Sequence, residues 1–175
     1  MRTGSACLFL ALALQLAGPV SPTRADEERA FTEVSARLSL SQLADFSGAA
    51  FSAALQGSLP MMPWLLVALR LGGEFPLRTG KMEGDRGLTL LALPALWGRF
   101  GDPDAWGYVR VSSGLAGQYG ADGWEMGWVV EAAGGFSVAP RDLVVYFGVE
   151  AAGLLGIVGP RIRCVGLGGF VGYRF

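Results

Sequence analysis

The sequence predicts an all-β fold, an eight-stranded antiparallel up-and-down transmembrane β-barrel, from three observations. Beyond about Ala25 the chain falls into eight segments in which apolar side chains alternate with polar or small ones, the period of a two-faced strand. The chain is 51% hydrophobic, yet its mature part has no uninterrupted apolar run of roughly 20 residues that could cross a bilayer as a helix. Its 27 glycines are scattered through the strand-like segments instead of gathering in a linker. A membrane barrel reconciles these features, because its outer face is apolar while its inner face is polar or small.

The first 25 residues read as a leader. Arg2 precedes an apolar stretch from Ala6 to Ala17, Gly18 and Pro19 break it, and Thr23-Arg24-Ala25 supplies small residues before Asp26. This is the pattern of a cleaved secretory signal. The expected domains are therefore a signal peptide, 1–25, and one barrel domain, 26–175. Fourteen basic and 15 acidic residues give a formal net charge of −1, which becomes more negative by two when Arg2 and Arg24 leave with the signal. No basic footprint for nucleic acid is present. Cys7 lies in the leader, so the mature chain keeps only Cys164 and has no internal disulfide.

The first segment runs from about Ala30 to Leu40, with Val34, Ala36, Leu38 and Leu40 opposite Glu33, Ser35, Arg37 and Ser39. The second, about Gly48 to Leu59, sets Phe51, Ala53 and Leu55 against Ser52, Gln56 and Ser58, and turns at Pro60-Met61-Met62-Pro63. In the third, Trp64 to Phe75, the charges Arg70 and Glu74 fall on one parity only. A polar loop follows from Pro76 to Gly87. The fourth, Leu88 to Gly98, is apolar on both parities and contains Pro94, which cannot donate to a ladder, so it is the least regular strand expected.

After a turn at Gly101-Asp102-Pro103-Asp104, the fifth segment alternates Val109, Val111 and Leu115 with Tyr108, Arg110 and Ser112. The sixth, Trp124 to Val138, sets Met126, Trp128 and Val130 against Glu125, Gly127 and Glu131. The seventh, Leu143 to Ala151, carries Tyr146, Gly148 and Glu150 on its polar parity. The eighth closes the chain with Val165, Leu167, Val171, Tyr173 and Phe175 opposite Gly168, Phe170, Gly172 and Arg174. An even strand number brings both termini to one side. Turns near Pro60, Asp102 and Pro140 are then expected to be periplasmic, and short loops near Asp45, Thr79, Tyr119 and Gly159 external.

Periodicity is equally compatible with a soluble, calycin-like periplasmic barrel whose apolar parity points inward, because inversion preserves the alternation. Two details favour an apolar outside. The other parity is rich in Gly, Ala and Ser, as a narrow lumen requires, and Lys81 is the only lysine. Phe51, Phe75 and Trp128 are expected at the outer rim and Phe136, Tyr173 and Phe175 at the periplasmic rim, as two aromatic girdles. Phe31, Trp64 and Trp106 lie on the other parity, where they can close the bottom of the lumen.

The chain ends Gly168-Gly169-Phe170-Val171-Gly172-Tyr173-Arg174-Phe175. A final Phe preceded by aromatic or apolar residues at alternate positions, here Val171 and Tyr173, resembles the C-terminal signature of bacterial outer-membrane barrels. With the leader and the strand count, the mature chain resembles the small OmpA/OmpX-type barrel family over nearly its full length. The resemblance implies the outer membrane as the location. It also implies lipids and lipopolysaccharide as surroundings, the barrel-assembly machinery as the reader of Val171, Tyr173 and Phe175, and a monomer.

The sequence contains no histidine. That removes Ser-His-Asp and Cys-His machinery, and with it the His-dependent lipases, acyltransferases and proteases that share such architectures. Zinc and copper sites lose their usual ligand. No cofactor and no metal is expected, and Asp102 and Asp104 read as ordinary turn residues. What remains is a set of inward charges, Glu33, Arg37, Arg70, Glu74, Arg110, Glu131 and Glu150, of which Arg37, Arg70, Arg110, Glu131 and Glu150 are expected near mid-barrel. Three readings follow: a salt-bridged structural plug, a gate in which Arg and Glu exchange partners to open a narrow ion path, or a Glu131/Glu150 acid–base pair. The plug leads, and the expected function is a non-enzymatic barrel with a structural or surface-interaction role in the envelope. A narrow gated channel and a soluble ligand-binding barrel are the alternatives.

Overall fold

The computed structural model describes residues 32–43, 48–77, 87–120, 122–140, 143–159 and 162–175. Leader residues 1–25, Phe31, and the expected loops near Asp45 and Thr79 lie outside them. Eight strands follow in chain order: β1 (Glu33–Leu43), β2 (Ala49–Met62), β3 (Leu65–Leu77), β4 (Thr89–Asp102), β5 (Ala105–Gly120), β6 (Gly123–Val138), β7 (Val145–Val158) and β8 (Arg163–Arg174). Each pairs antiparallel with its sequence neighbour, and β8 pairs antiparallel with β1 to close the barrel. Closure leaves no free strand edge.

The register fixes the size of the cylinder. Following ladder partners once round from Glu33, through Ser58, Ala68, Ala95, Ser112, Glu131, Leu154 and Cys164, returns to β1 at Leu43, ten residues beyond the start. For eight strands this stagger corresponds to a tilt of about 40° and a backbone radius of about 8 Å. Side chains from opposite walls therefore meet inside.

On seven of the eight strands the polar or small parity faces inward and the apolar parity faces out, while β4, apolar on both, turns Leu91, Leu93 and Trp97 inward. Glu33, Arg37, Arg70, Arg110 and Glu131 are buried, whereas Leu38, Leu55, Leu71, Leu96, Val149 and Leu167 are exposed. This overturns the soluble, apolar-cored alternative. Trp128 and Phe136, eight residues apart on β6, are both exposed and mark two levels separated by about 20 Å along the axis. Phe51, Phe75 and Trp128 form the upper aromatic level, the end away from the termini. Phe136, Tyr173 and Phe175 form the lower one, joined by Phe100 and Phe147.

The fourth expected strand is present, and two other expectations are corrected. Strand β4 is a full 14-residue strand despite Pro94. Pro94 pairs with Leu69 of β3, and the ladder to β5 skips it, passing from Ala92↔Leu115 to Ala95↔Ser112. The missing N–H thus falls on one edge only, and the residues on either side hold the pairing. The loop expected near Tyr119 is strand: β5 runs to Gly120 and β6 resumes at Gly123, whose positive φ of 107° suits a glycine in a tight connection. Finally, Trp64 does not close the lumen. It sits in the β2–β3 turn with its ring exposed, whereas Trp106 is buried at the lower end, as expected.

Candidate functional site

The filled lumen divides into three layers, each built from inward positions of several strands. In the middle layer, combining register and tilt places Arg37, Gln56, Arg110 and Glu150 within about 3 Å of one another along the axis. Arg37 Nη1 donates to Glu150 Oε2 at 2.5 Å, and the Tyr108 hydroxyl donates to the same oxygen at 2.8 Å. Arg110 Nη2 reaches Glu150 Oε1 at 3.1 Å and Glu131 Oε1 at 2.7 Å, while its Nη1 donates to Gln56 Oε1 at 2.7 Å. Glu131 also accepts from Arg70 and, at 3.2 Å, from Ser112. The network thus draws on β1, β2, β3, β5, β6 and β7, and Arg110 is its centre.

Such a layer is costly to desolvate and holds only because each charge faces an opposite one. The five residues expected near mid-barrel are all in it. Nε and Nη2 of Arg37 and Nε of Arg70 and Arg110 are buried donors that meet no acceptor among the described residues. The guanidiniums are therefore not saturated by the two carboxylates.

Below lies an aromatic floor. Leu66, Trp97, Trp106, Tyr108, Ala139, Tyr146 and Phe170 form one buried cluster. Glu33 sits within it, paired with Arg99 at 2.5 Å and Arg174 at 3.6 Å and accepting from the Tyr146 hydroxyl at 3.1 Å. The guanidiniums lie on rings: Arg174 at 4.2 Å from the Trp106 centroid, Arg99 at 5.1 Å from the same ring, and Arg37 at 4.4 Å from Phe170. Contacts of this kind add about 0.5–2 kcal/mol each, more when dry. Arg174 also donates to the Pro103 carbonyl at 3.3 Å, and Phe175 N–H to Thr32 O at 2.9 Å, which fastens the C-terminus across the seam.

Above the charges lies an apolar ceiling of Leu91, Leu93, Ala116, Val129, Leu154, Ile162 and Cys164. Glu74 is at this height, not in the middle network, and accepts from the Cys164 thiol at 3.4 Å. The seven candidate charges therefore separate into floor (Glu33), middle (Arg37, Arg70, Arg110, Glu131, Glu150) and ceiling (Glu74). Arg99 and Arg174 belong with Glu33 and were not among the candidates; Arg174 lay on the polar parity in the sequence, and Arg99 lay one residue beyond the expected end of its strand. Among the described residues no group of three or more His, Cys, Asp and Glu is arranged to hold a metal. Val171, Tyr173 and Phe175 face outward at the lower rim, and the last two rings touch edge to face at 4.9 Å.

The neisserial surface protein NspA superposes on this chain with a TM-score of 0.64 at 12% identity, over 83% of this chain and 96% of that one. This is the fold of a transmembrane β-barrel. The N-terminal β-barrel domain of Pseudomonas aeruginosa OprF gives the same answer, with a TM-score of 0.55 at 14% identity over 84% of this chain and all of that one. A de novo designed transmembrane β-barrel matches at 0.50 and 13% identity, over 85% and 99%. No protein-family model and no curated protein matches the chain. At these identities the likeness speaks for the transmembrane-barrel fold, and the inward charge layers of this chain must be read from its own geometry.

Proposed function

We propose that the chain is an outer-membrane β-barrel with a non-enzymatic, structural or surface-interacting role in the cell envelope. The observation that carries this reading is the lumen closed at three levels: aromatic floor, ion-paired middle and apolar ceiling. An outward apolar face between two aromatic levels supports membrane residence. Termini at one end agree with a periplasmic start and finish, and the outward Val171, Tyr173 and Phe175 are then the residues offered to the barrel-assembly machinery. The β5–β6 hairpin supports the surface role. It rises about 10 Å beyond the upper aromatic level, and Tyr119 and Trp124 pack 5.6 Å apart near its tip.

Catalysis is not part of this reading. Glu131 and Glu150 are each held by two arginines, so neither is free to act as acid or base. The second reading is a narrow gated channel, favoured by one observation: Arg110 already divides itself between Glu131 and Glu150, and the surrounding guanidiniums keep donors to spare. The apolar ceiling weighs against it, since partner exchange in the middle layer leaves Leu91, Leu93 and Val129 in place.

Planar-bilayer recording of the refolded protein separates the two. The sealed barrel is expected to give no resolved conductance steps. Steps that disappear in Arg110→Ala and Glu131→Ala would establish the gate and overturn the sealed reading.

A further inference from the structure

The outward face is almost free of polar side chains. Along the described strands, apart from the aromatic hydroxyl and indole tips and Asp102 at the β4–β5 turn, its polar members are Gln42, Ser113 and Arg163. Ser113 is accounted for: its hydroxyl accepts from the Trp128 indole at 2.7 Å and donates to Val129 O at 3.3 Å. Arg163 and Gln42 are both exposed, and neither has a side-chain partner among the described residues.

These two residues share one place. Leu43↔Cys164 and Gln42↔Val165 are ladder partners across the β8–β1 seam, so Gln42 and Arg163 are diagonal neighbours on the same face, with Cα atoms about 7–8 Å apart. Register and tilt put both within about 4 Å of the height of Phe51, Phe75 and Trp128. That is the upper aromatic level, where hydrocarbon gives way to headgroups in a membrane barrel. An arginine costs several kcal/mol at the bilayer midplane but only about 0–1 kcal/mol near the interface. Its stem can lie over Leu155 and Val165, its outward neighbours, while the guanidinium reaches the polar layer.

We propose that Arg163, with the Gln42 amide beside it, binds the phosphate of a membrane lipid headgroup at the upper rim. The planar guanidinium fork matches two phosphate oxygens, and the amide adds a further donor on the adjacent strand. The proposal rests on the membrane reading above.

The test is native mass spectrometry of the folded barrel released from detergent micelles, after incubation with phosphatidylglycerol, diphosphoryl lipid A or, as the phosphate-free control, diacylglycerol. Arg163→Gln is expected to lower retention of the phosphate-bearing lipids roughly fivefold or more and to leave diacylglycerol unchanged. Gln42→Ala is expected to produce a smaller loss. Of the two phosphate lipids, the one retained more strongly by the unaltered protein and lost in Arg163→Gln identifies the source of the phosphate. Equal retention by the variant would overturn the proposal. A boiled-versus-unboiled mobility shift, run on each sample, keeps failure of this proposal distinct from failure of the membrane reading.

Discussion

At the residue scale the lumen depends on Arg110. It is almost wholly buried and bonds two carboxylates and Gln56. Removing it leaves Glu131 and Glu150 each short of a cation in a site where water cannot easily compensate. Arg110→Ala is therefore expected to cost about 3–5 kcal/mol, read as a lowered urea midpoint for unfolding from lipid vesicles. Tyr108→Phe should cost only about 1 kcal/mol, because Glu150 keeps both of its arginines. The charged members were legible in the sequence because Arg and Glu stand out on a parity otherwise made of Gly, Ala and Ser. Gln56, Tyr108 and Tyr146 were not singled out, since a neutral polar residue on an inward parity carries no sign of a partner. Glu33 was already set apart from mid-barrel by its depth in its strand, but its grouping with Arg99 and Arg174 follows from the ten-residue stagger, which no single strand reveals.

At the element scale the informative place is where β4 and β5 meet. Pro94 presents no donor to β5, and the two strands approach so closely there that a Cβ built on Gly114 falls 2.2 Å from Ala92 O and 3.0 Å from the Pro94 ring. Gly114→Ala must push the wall apart and is expected to cost about 1–3 kcal/mol. On β2, a Cβ at Gly57 meets nothing within 4 Å, so Gly57→Ala should change stability by no more than about 0.5 kcal/mol. Urea midpoints of the two variants, measured side by side, check the contrast. The existence and parity of the strands were readable from alternation, whereas their ends were not. Gly117, Gly120 and Gly123 read as a loop, yet antiparallel pairing from Ala105↔Val138 to Gly120↔Gly123 carries them in strand and leaves Asp122 in the turn between. Pairing across the hairpin satisfies the backbone there, and local composition does not report it.

At the scale of the whole molecule alternation alone leaves inside and outside undetermined, because it survives inversion, and it was the Gly, Ala and Ser of one parity and the single Lys81 that favoured an apolar outside. Closure decides it: with a radius of about 8 Å, one face must be enclosed. The enclosed face holds Arg37, Arg70, Arg110 and Glu131, while the exposed face holds most of the leucines and valines. A water-soluble protein with that exterior would aggregate, whereas a bilayer solvates it. The measurement that tests this most directly is gel mobility of the protein from a washed outer-membrane fraction, with and without boiling. The sealed transmembrane barrel is expected in that fraction, running as a compact, faster band until boiling unfolds it. A single mobility in both samples, with the protein recovered in the periplasmic fraction, would contradict the account.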